Sequence, residues 1–248
     1  MINLNTQKLI WEQQIKNECI KYQTFIGDSN MPKYKINFVD NKDFSISYSM
    51  EVLTQKIPMI LNVNMGFMVG KSGKHCQPTL YHEFTHMWDH SNFFQDKDKQ
   101  ERKSVLSLYT EYHASQIEFL RFMDFESIKH AKHINSNDKF YEFDKEETVF
   151  EFYNERCQLL FESINNYKND NSTKNYKAVI DSYMYVLGIK SIYDKYVGII
   201  DIPQGDSIFH DNIMNIYPLL QDYNIEDLWE ILLDCSKILD NLHILNSI

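Results

Sequence analysis

The stretch Tyr81 to His90, YHEFTHMWDH, constrains this chain more than any other. It gathers three of the chain's 9 histidines with a glutamate and an aspartate. On an α-helix, at about 100° per residue, setting His82 at zero puts His86 near 40°, His90 near 80°, Glu83 near 100° and Asp89 near −20°. Leu80, Phe84, Met87 and Trp88 fall on the opposite side, near roughly 140° to 240°. The helix therefore has one face for a core and one for polar chemistry. A merely solvated face would ordinarily carry Lys, Glu and Gln in place of a His-Glu-His set. His82-Glu83-Phe84-Thr85-His86 is HExxH, in which two imidazoles four residues apart can share one zinc ion while the glutamate polarises a water. Pro78 suits the first turn of such a helix, where a missing N–H costs nothing.

A catalytic zinc needs a third protein ligand and an open position. His90 is too distant on a continuous helix, about 12 Å along the axis from His82 at about 1.5 Å per residue. A chain that turned away after the second histidine would usually need glycine there, and this one has Met87-Trp88-Asp89. Asp89 and His90 are better read as residues supporting or capping the ligand histidines. The next helix, LSLYTEYHASQIEFL, offers Glu111, 25 residues after His86. Its face also carries Ala114 and Ser115, small enough for close approach, and Glu118, the main rival to Glu111. Tyr109, Tyr112 or His113 could supply a donor to a developing oxyanion, and nothing in the sequence chooses among them.

HEFTH followed by TEYHAS, with Glu111 three residues before Ala114, resembles the zincin-type metallopeptidases in their glutamate-ligand branch, the gluzincins. It is most similar to the compact ImmA/IrrE-like peptidases, whose pattern is HExxH on one helix and a ligand glutamate in ExxA on the next, after a short sheet. The resemblance covers about residues 57–123. It implies His82, His86 and Glu111 as Zn2+ ligands, Glu83 as general base, and a protein or peptide substrate. The chain departs from the pattern in having Thr85 where a glycine is common, in lacking an evident DNA-binding helix-turn-helix, and in a helical second half with no counterpart. The expected function is a zinc metallopeptidase; the alternative is a non-catalytic binding or regulatory protein on the same scaffold, which would have no use for Glu83.

Around this region the chain reads as α+β and mostly helical. An amphipathic helix is expected over about 6–26, with Trp11, Ile15, Cys19, Tyr22 and Ile26 on one side and Gly27 ending it. KYKINFVD, DFSISYSMEVL and IPMILNVNM suggest a small sheet, and the last of these could pair its edge with an extended substrate. Helices follow at about 79–91, 99–124, 140–168, 175–196, 208–222 and 225–245. At 248 residues and 43% hydrophobic the chain is read as one domain, a core over 1–125 with a helical extension over 126–248 packed on it.

The remaining features exclude more than they propose. A net charge of −10 with scattered Lys and Arg disfavours nucleic acid and anionic membranes as partners. Cys19, Cys76, Cys157 and Cys235 form no CxxC pair and read as reduced thiols. Neither a secretory signal nor a membrane-length apolar run is visible, so the expected location is the cytoplasm. GFMVGKS (Gly66 to Ser72) has three residues between its glycines where a phosphate loop needs four, and no helix is expected directly after Ser72. His130 and His133, at the end of a helical run, are read as favourable dipole partners and not as a second metal site. Cys76 beside His75 reads as a partly buried thiol.

Overall fold

The structure, a computed structural model, describes residues 3–39, 51–53, 58–68, 73–93, 100–142, 145–203 and 207–221, and near the C-terminus residues 230, 231, 233–235, 237 and 238. It is α+β and mostly helical. Helix α1 (Leu4–Ile26) starts where the Asn3 side chain accepts from the Asn5 N–H, and it ends at Gly27 in the left-handed region, φ +75°. Its buried face is Trp11, Ile15, Glu18, Cys19, Tyr22 and Phe25; Phe25 takes the place expected for Ile26, which stays partly exposed.

Three strands follow, β1 (Tyr34–Val39), β2 (Glu51–Leu53) and β3 (Met59–Asn64), in the order β1-β3-β2. Met59, Leu61 and Val63 alternate inward on β3. β3 is parallel to β1 from Met59 to Asn64 and antiparallel to β2 from Ile60 to Asn62. The edge-pairing role expected for IPMILNVNM is thereby overturned over that stretch, because both its edges already bear a neighbour. Part of DFSISYSMEVL, residues 43–50, lies outside the described residues.

After a single turn, α2 (Met65–Met68), comes α3 (Gly73–Phe93). It begins six residues earlier than the sequence suggested and directly after Ser72, contrary to expectation; residues 69–72 themselves lie outside the described residues. Pro78 is consequently inside the helix and buried, not in its first turn. Its missing N–H leaves the Lys74 carbonyl without a ladder donor, a site within two turns of the start where strain is most easily absorbed. α4 (Gln100–Phe122) follows, then a 3₁₀ turn at Ile128–His130.

The helix expected over 140–168 is corrected at its start. β4 (Lys139–Glu142) and β5 (Lys145–Thr148) pair as a two-stranded sheet, and α5 (Val149–Asn169) begins only after them. Burial alternates along β4, with Lys139 and Tyr141 out and Phe140 in, while on β5 only Glu147 is buried. Lys139 Nζ reaches Glu146 across the pair at 2.8 Å. Thr148 and Glu151 then form a capping box that starts α5. α6 (Thr173–Tyr196) and α7 (Ser207–Gln221) complete the labelled helices. Most of the helix expected over 225–245 lies outside the described residues, and those described there are helical.

Two compact units hold these elements: one within Met1–Gln95, Ile117–Lys132 and Lys139–Glu147, the other within Asp96–Gln116, His133–Asp138 and Thr148–Ile248. Neither is a continuous stretch, and α4 runs through both, whereas the sequence reading set 1–125 apart from 126–248. In the first unit, Tyr22 of α1 packs its ring against Tyr81 and Phe84 of α3, with centroids 5.4 and 5.5 Å apart, and Phe25 meets Tyr81 at 5.3 Å. In the second, buried Lys190 is held by Asp194 at 2.8 Å and by the Ile200 carbonyl. The Tyr217 hydroxyl donates to Asp194 at 2.7 Å, so that one carboxylate ties α7 and the segment after α6 to α6.

The small residues of α4 serve this second unit. A Cβ at Gly188 of α6 would lie 1.9 Å from Ser115 Oγ and 2.3 Å from the Tyr112 carbonyl. Close approach, expected toward the HExxH helix, is made to α6. Gly188→Ala should therefore lower stability by about 1–3 kcal/mol, read as a shift in urea midpoint at constant slope. Adding Ser115→Ala should restore only part of the loss, because the Tyr112 carbonyl remains; an unchanged midpoint in the single variant would contradict this packing.

Candidate metal centre

Helix α3 orients its polar residues through contacts on both sides. Leu80, Tyr81, Phe84 and Met87 are buried, as the wheel requires. Thr85, the departure from glycine, is fully buried: its hydroxyl donates to the Tyr81 carbonyl at 2.8 Å and accepts from the Tyr22 hydroxyl at 3.1 Å. Tyr22 thus holds the turn between Glu83 and His86 from α1, a role the helical wheel of α3 could not reveal. Burial raises the Tyr22 hydroxyl well above its usual range, and the neighbouring Asp89 carboxylate adds to the shift. It remains a donor. Trp88 Nε1 reaches Asp28 at 3.3 Å.

The end of α4 is fastened to α3 within the same unit. Arg121 donates to Gln77 Oε1 at 2.6 Å and to the Phe125 carbonyl at 3.0 Å, with its guanidinium over the Tyr81 ring. One turn earlier on α4, Glu118 Oε2 lies 3.0 Å from His82 Nδ1. Both side chains are nearly buried, 11% and 12% exposed. A carboxylate here favours the proton on Nδ1 and leaves the Nε2 lone pair of His82 available for a metal. Glu118, the rival ligand of the sequence reading, sits behind the histidine.

The two Nε2 atoms of His82 and His86 converge to 3.0 Å, with rings edge to face at 83°. Bonds of about 2.0–2.1 Å to one tetrahedral ion would set two nitrogens about 3.3 Å apart, so this pair is close to the spacing such an ion demands. Glu111 lies seven residues before Glu118, within about 20° of it on the same side of α4. Ligand atoms of His82, His86 and Glu111 all lie within 4.8 Å of one another, and this group could hold a metal ion. Two imidazoles and one carboxylate satisfy the chemistry of zinc or a neighbouring transition ion. Glu83, 8% exposed, follows His82 directly on the same helix.

Other candidates fall elsewhere. Tyr109 and His113 stack on one another, centroids 5.6 Å apart, and helical geometry turns both to roughly the opposite side of α4 from Glu111. Tyr112 is buried, with its carbonyl against Gly188. Tyr109 and His113 thus lie on the side of α4 away from Glu111, and the donor role expected of Tyr109, Tyr112 or His113 is not assigned to any of them. His90 is outside the ligand group, and burial, reinforced by the like charge of His86, pushes it down to about 4, so it stays neutral. Asp89 is fully buried and acts on Tyr22. His130 is exposed and meets Ser127 at 2.7 Å; Cys76 is buried. A cavity of about 540 Å³ is lined by α1, by Met68 and by Cys76 and Leu80 of α3, not by the histidines.

No helix among the described residues is long and apolar enough to cross a membrane. No family model, no curated protein and no solved structure matches the chain.

Metal titration of purified variants tests this arrangement. Glu118→Gln should keep the fold but weaken affinity about 10–100-fold, since it removes the charge behind His82. Glu111→Ala should lower metal content, and His90→Ala should leave it nearly unchanged. A site emptied by His90→Ala and retained in Glu111→Ala would reverse the ligand assignment.

Proposed function

We propose that this protein is a zinc-dependent metallopeptidase of the zincin type, hydrolysing a peptide bond in a protein substrate, with His82, His86 and Glu111 as zinc ligands and Glu83 as general base. The observation that carries the reading is the convergence of the two Nε2 atoms on the lone-pair side left open by Glu118, with Glu83 on the same turn. Zinc held there would supply Lewis acidity, making a water nucleophilic near neutral pH and polarising the scissile carbonyl.

The protein's residues do the rest. Glu83 takes the proton from the attacking water and returns it to the leaving amine, the ordinary division of labour for a base beside a metal. Its low exposure keeps bulk water from competing for that proton. Glu118 holds the His82 ring in one tautomer, and the Tyr22–Thr85 bond holds the intervening turn. A structural zinc would need the three ligands but not a carboxyl between the two histidines.

Glu83→Gln conserves size and leaves the proposed ligands in place. Metal content and melting temperature should stay near wild type, while peptide hydrolysis, found first by screening a broad peptide library, should fall by about 10²–10⁴-fold or more. Equal cleavage by both proteins would remove Glu83 from the mechanism. A cellular phenotype insensitive to Glu83→Gln would favour the binding-scaffold alternative.

A further inference from the structure

The cavity of about 540 Å³ between α1 and the start of α3 lies within the first unit, and no residue of the proposed zinc site lines it. Its apolar wall includes Ile15 of α1, Met68 of α2 and Leu80 of α3, all buried. The same wall carries Glu18 and, one turn later on α1, Lys21. The volume is within the ordinary range of small-molecule sites. We propose that this cavity binds a small organic cation, a primary ammonium group on an apolar body, with Glu18 as the residue that holds the ammonium. Binding there needs neither a metal nor peptidase activity.

Glu18 carries the argument. It is 7% exposed and belongs to the buried face of α1. Its Oε1 accepts from Lys21 Nζ at 2.7 Å. Its Oε2 is buried and has no hydrogen-bond partner among the described residues. A buried carboxylate oxygen without a donor costs the fold free energy, and a donor carried in by a ligand recovers it. An aliphatic residue at position 18 would complete the α1 face without that cost. Lys21 does not meet the need, because its side chain is 59% exposed and water screens its attraction.

The rest of the lining sets the kind of ligand. Glu18 and Lys21 are the charged residues of the described lining, and they are not equivalent, since the acid is buried and the base stands in water. A group entering the cavity therefore meets the negative charge in the less screened surroundings, which favours a cation over a neutral or anionic group. A charge-assisted N–H to carboxylate bond is also the strongest available there. Only Glu18 and Cys76 of the described lining are metal-ligand types, and they belong to no metal-holding group, so an organic cation fits better than an ion. Ile15, Met68 and Leu80 provide contact for its apolar body, and the exposed Gln14 amide offers a second acceptor. The unbranched Met68 and the stem of Lys21 are the parts of the wall that yield as the ammonium reaches Oε2. Ile20, 62% exposed, marks the mouth.

The test titrates the purified chain with phenethylamine and with the matched phenethyl alcohol and phenylpropionate, followed by NMR of side-chain methyl signals. The amine should shift the Met68 and Leu80 signals and bind about 10-fold or more tighter than the other two compounds. Glu18→Gln keeps the size of the side chain and should abolish the preference. Lys21→Met leaves Glu18 to the ligand alone and should tighten the amine several-fold, a gain that a purely structural Glu18–Lys21 pair does not give. Ile20→Trp obstructs the exposed mouth without entering the core and should weaken all three compounds. Equal affinities for amine and alcohol, amine-induced shifts that leave Met68 and Leu80 unmoved, or an amine preference that survives Glu18→Gln would overturn the assignment. Should Glu18→Gln fail to fold, the two exposed positions decide, and an amine affinity unchanged in both Lys21→Met and Ile20→Trp overturns it equally.

Discussion

The contact between Glu118 and His82 is the one on which the candidate metal centre turns. An imidazole has two nitrogens, and a metal needs the lone pair of one of them. By standing 3.0 Å from Nδ1, Glu118 leaves Nε2 to face His86. The same contact, with Arg121 on Gln77 one turn later, fastens the end of α4 to α3, and Glu111 joins the two histidines in the group that could hold a metal ion. One carboxylate thus bears at once on the His82 tautomer and on the seating of the end of α4.

The other side of α3 explains how so polar a helix can be held still. Tyr22, Phe25, Tyr81 and Phe84 form an aromatic cluster between α1 and α3. Within it a single polar thread, Tyr22 to Thr85 to the Tyr81 carbonyl, satisfies groups that would otherwise cost free energy in an apolar surrounding. Thr85, which stands where the peptidase family the sequence resembles commonly has a glycine, is the middle of that thread. Rigid packing on one face and a carboxylate on the other leave the HExxH histidines little rotational freedom, the condition a preorganised centre requires.

Much of this was legible in the residues. HExxH at helical spacing placed His82, Glu83 and His86 together because the repeat of an α-helix is a local property. Gly27 announced the end of α1 for an equally local reason, since it occupies a left-handed conformation that other residues rarely adopt. The strands β4 and β5 were missed because YEFDKEETVFEFYNE has helix-forming composition; their pairing and the Thr148 cap show only in the fold.

What the sequence determined by itself was therefore the set of local choices: an amphipathic helix with an HExxH face, its likeness to a peptidase pattern, and a mostly helical chain with a small sheet. Tertiary structure alone decided which of two glutamates on one face of α4 meets the histidines directly and which stands behind His82. It also decided that β3 lies between two neighbours and that Gly188 admits α4 against α6. The reason is physical: Glu111 and Glu118 are almost equivalent by helical phase, two turns apart, and only the position of α3 along α4 distinguishes them. That position is set by side chains from α1, α3 and the end of α4, distant in sequence and joined only in the fold.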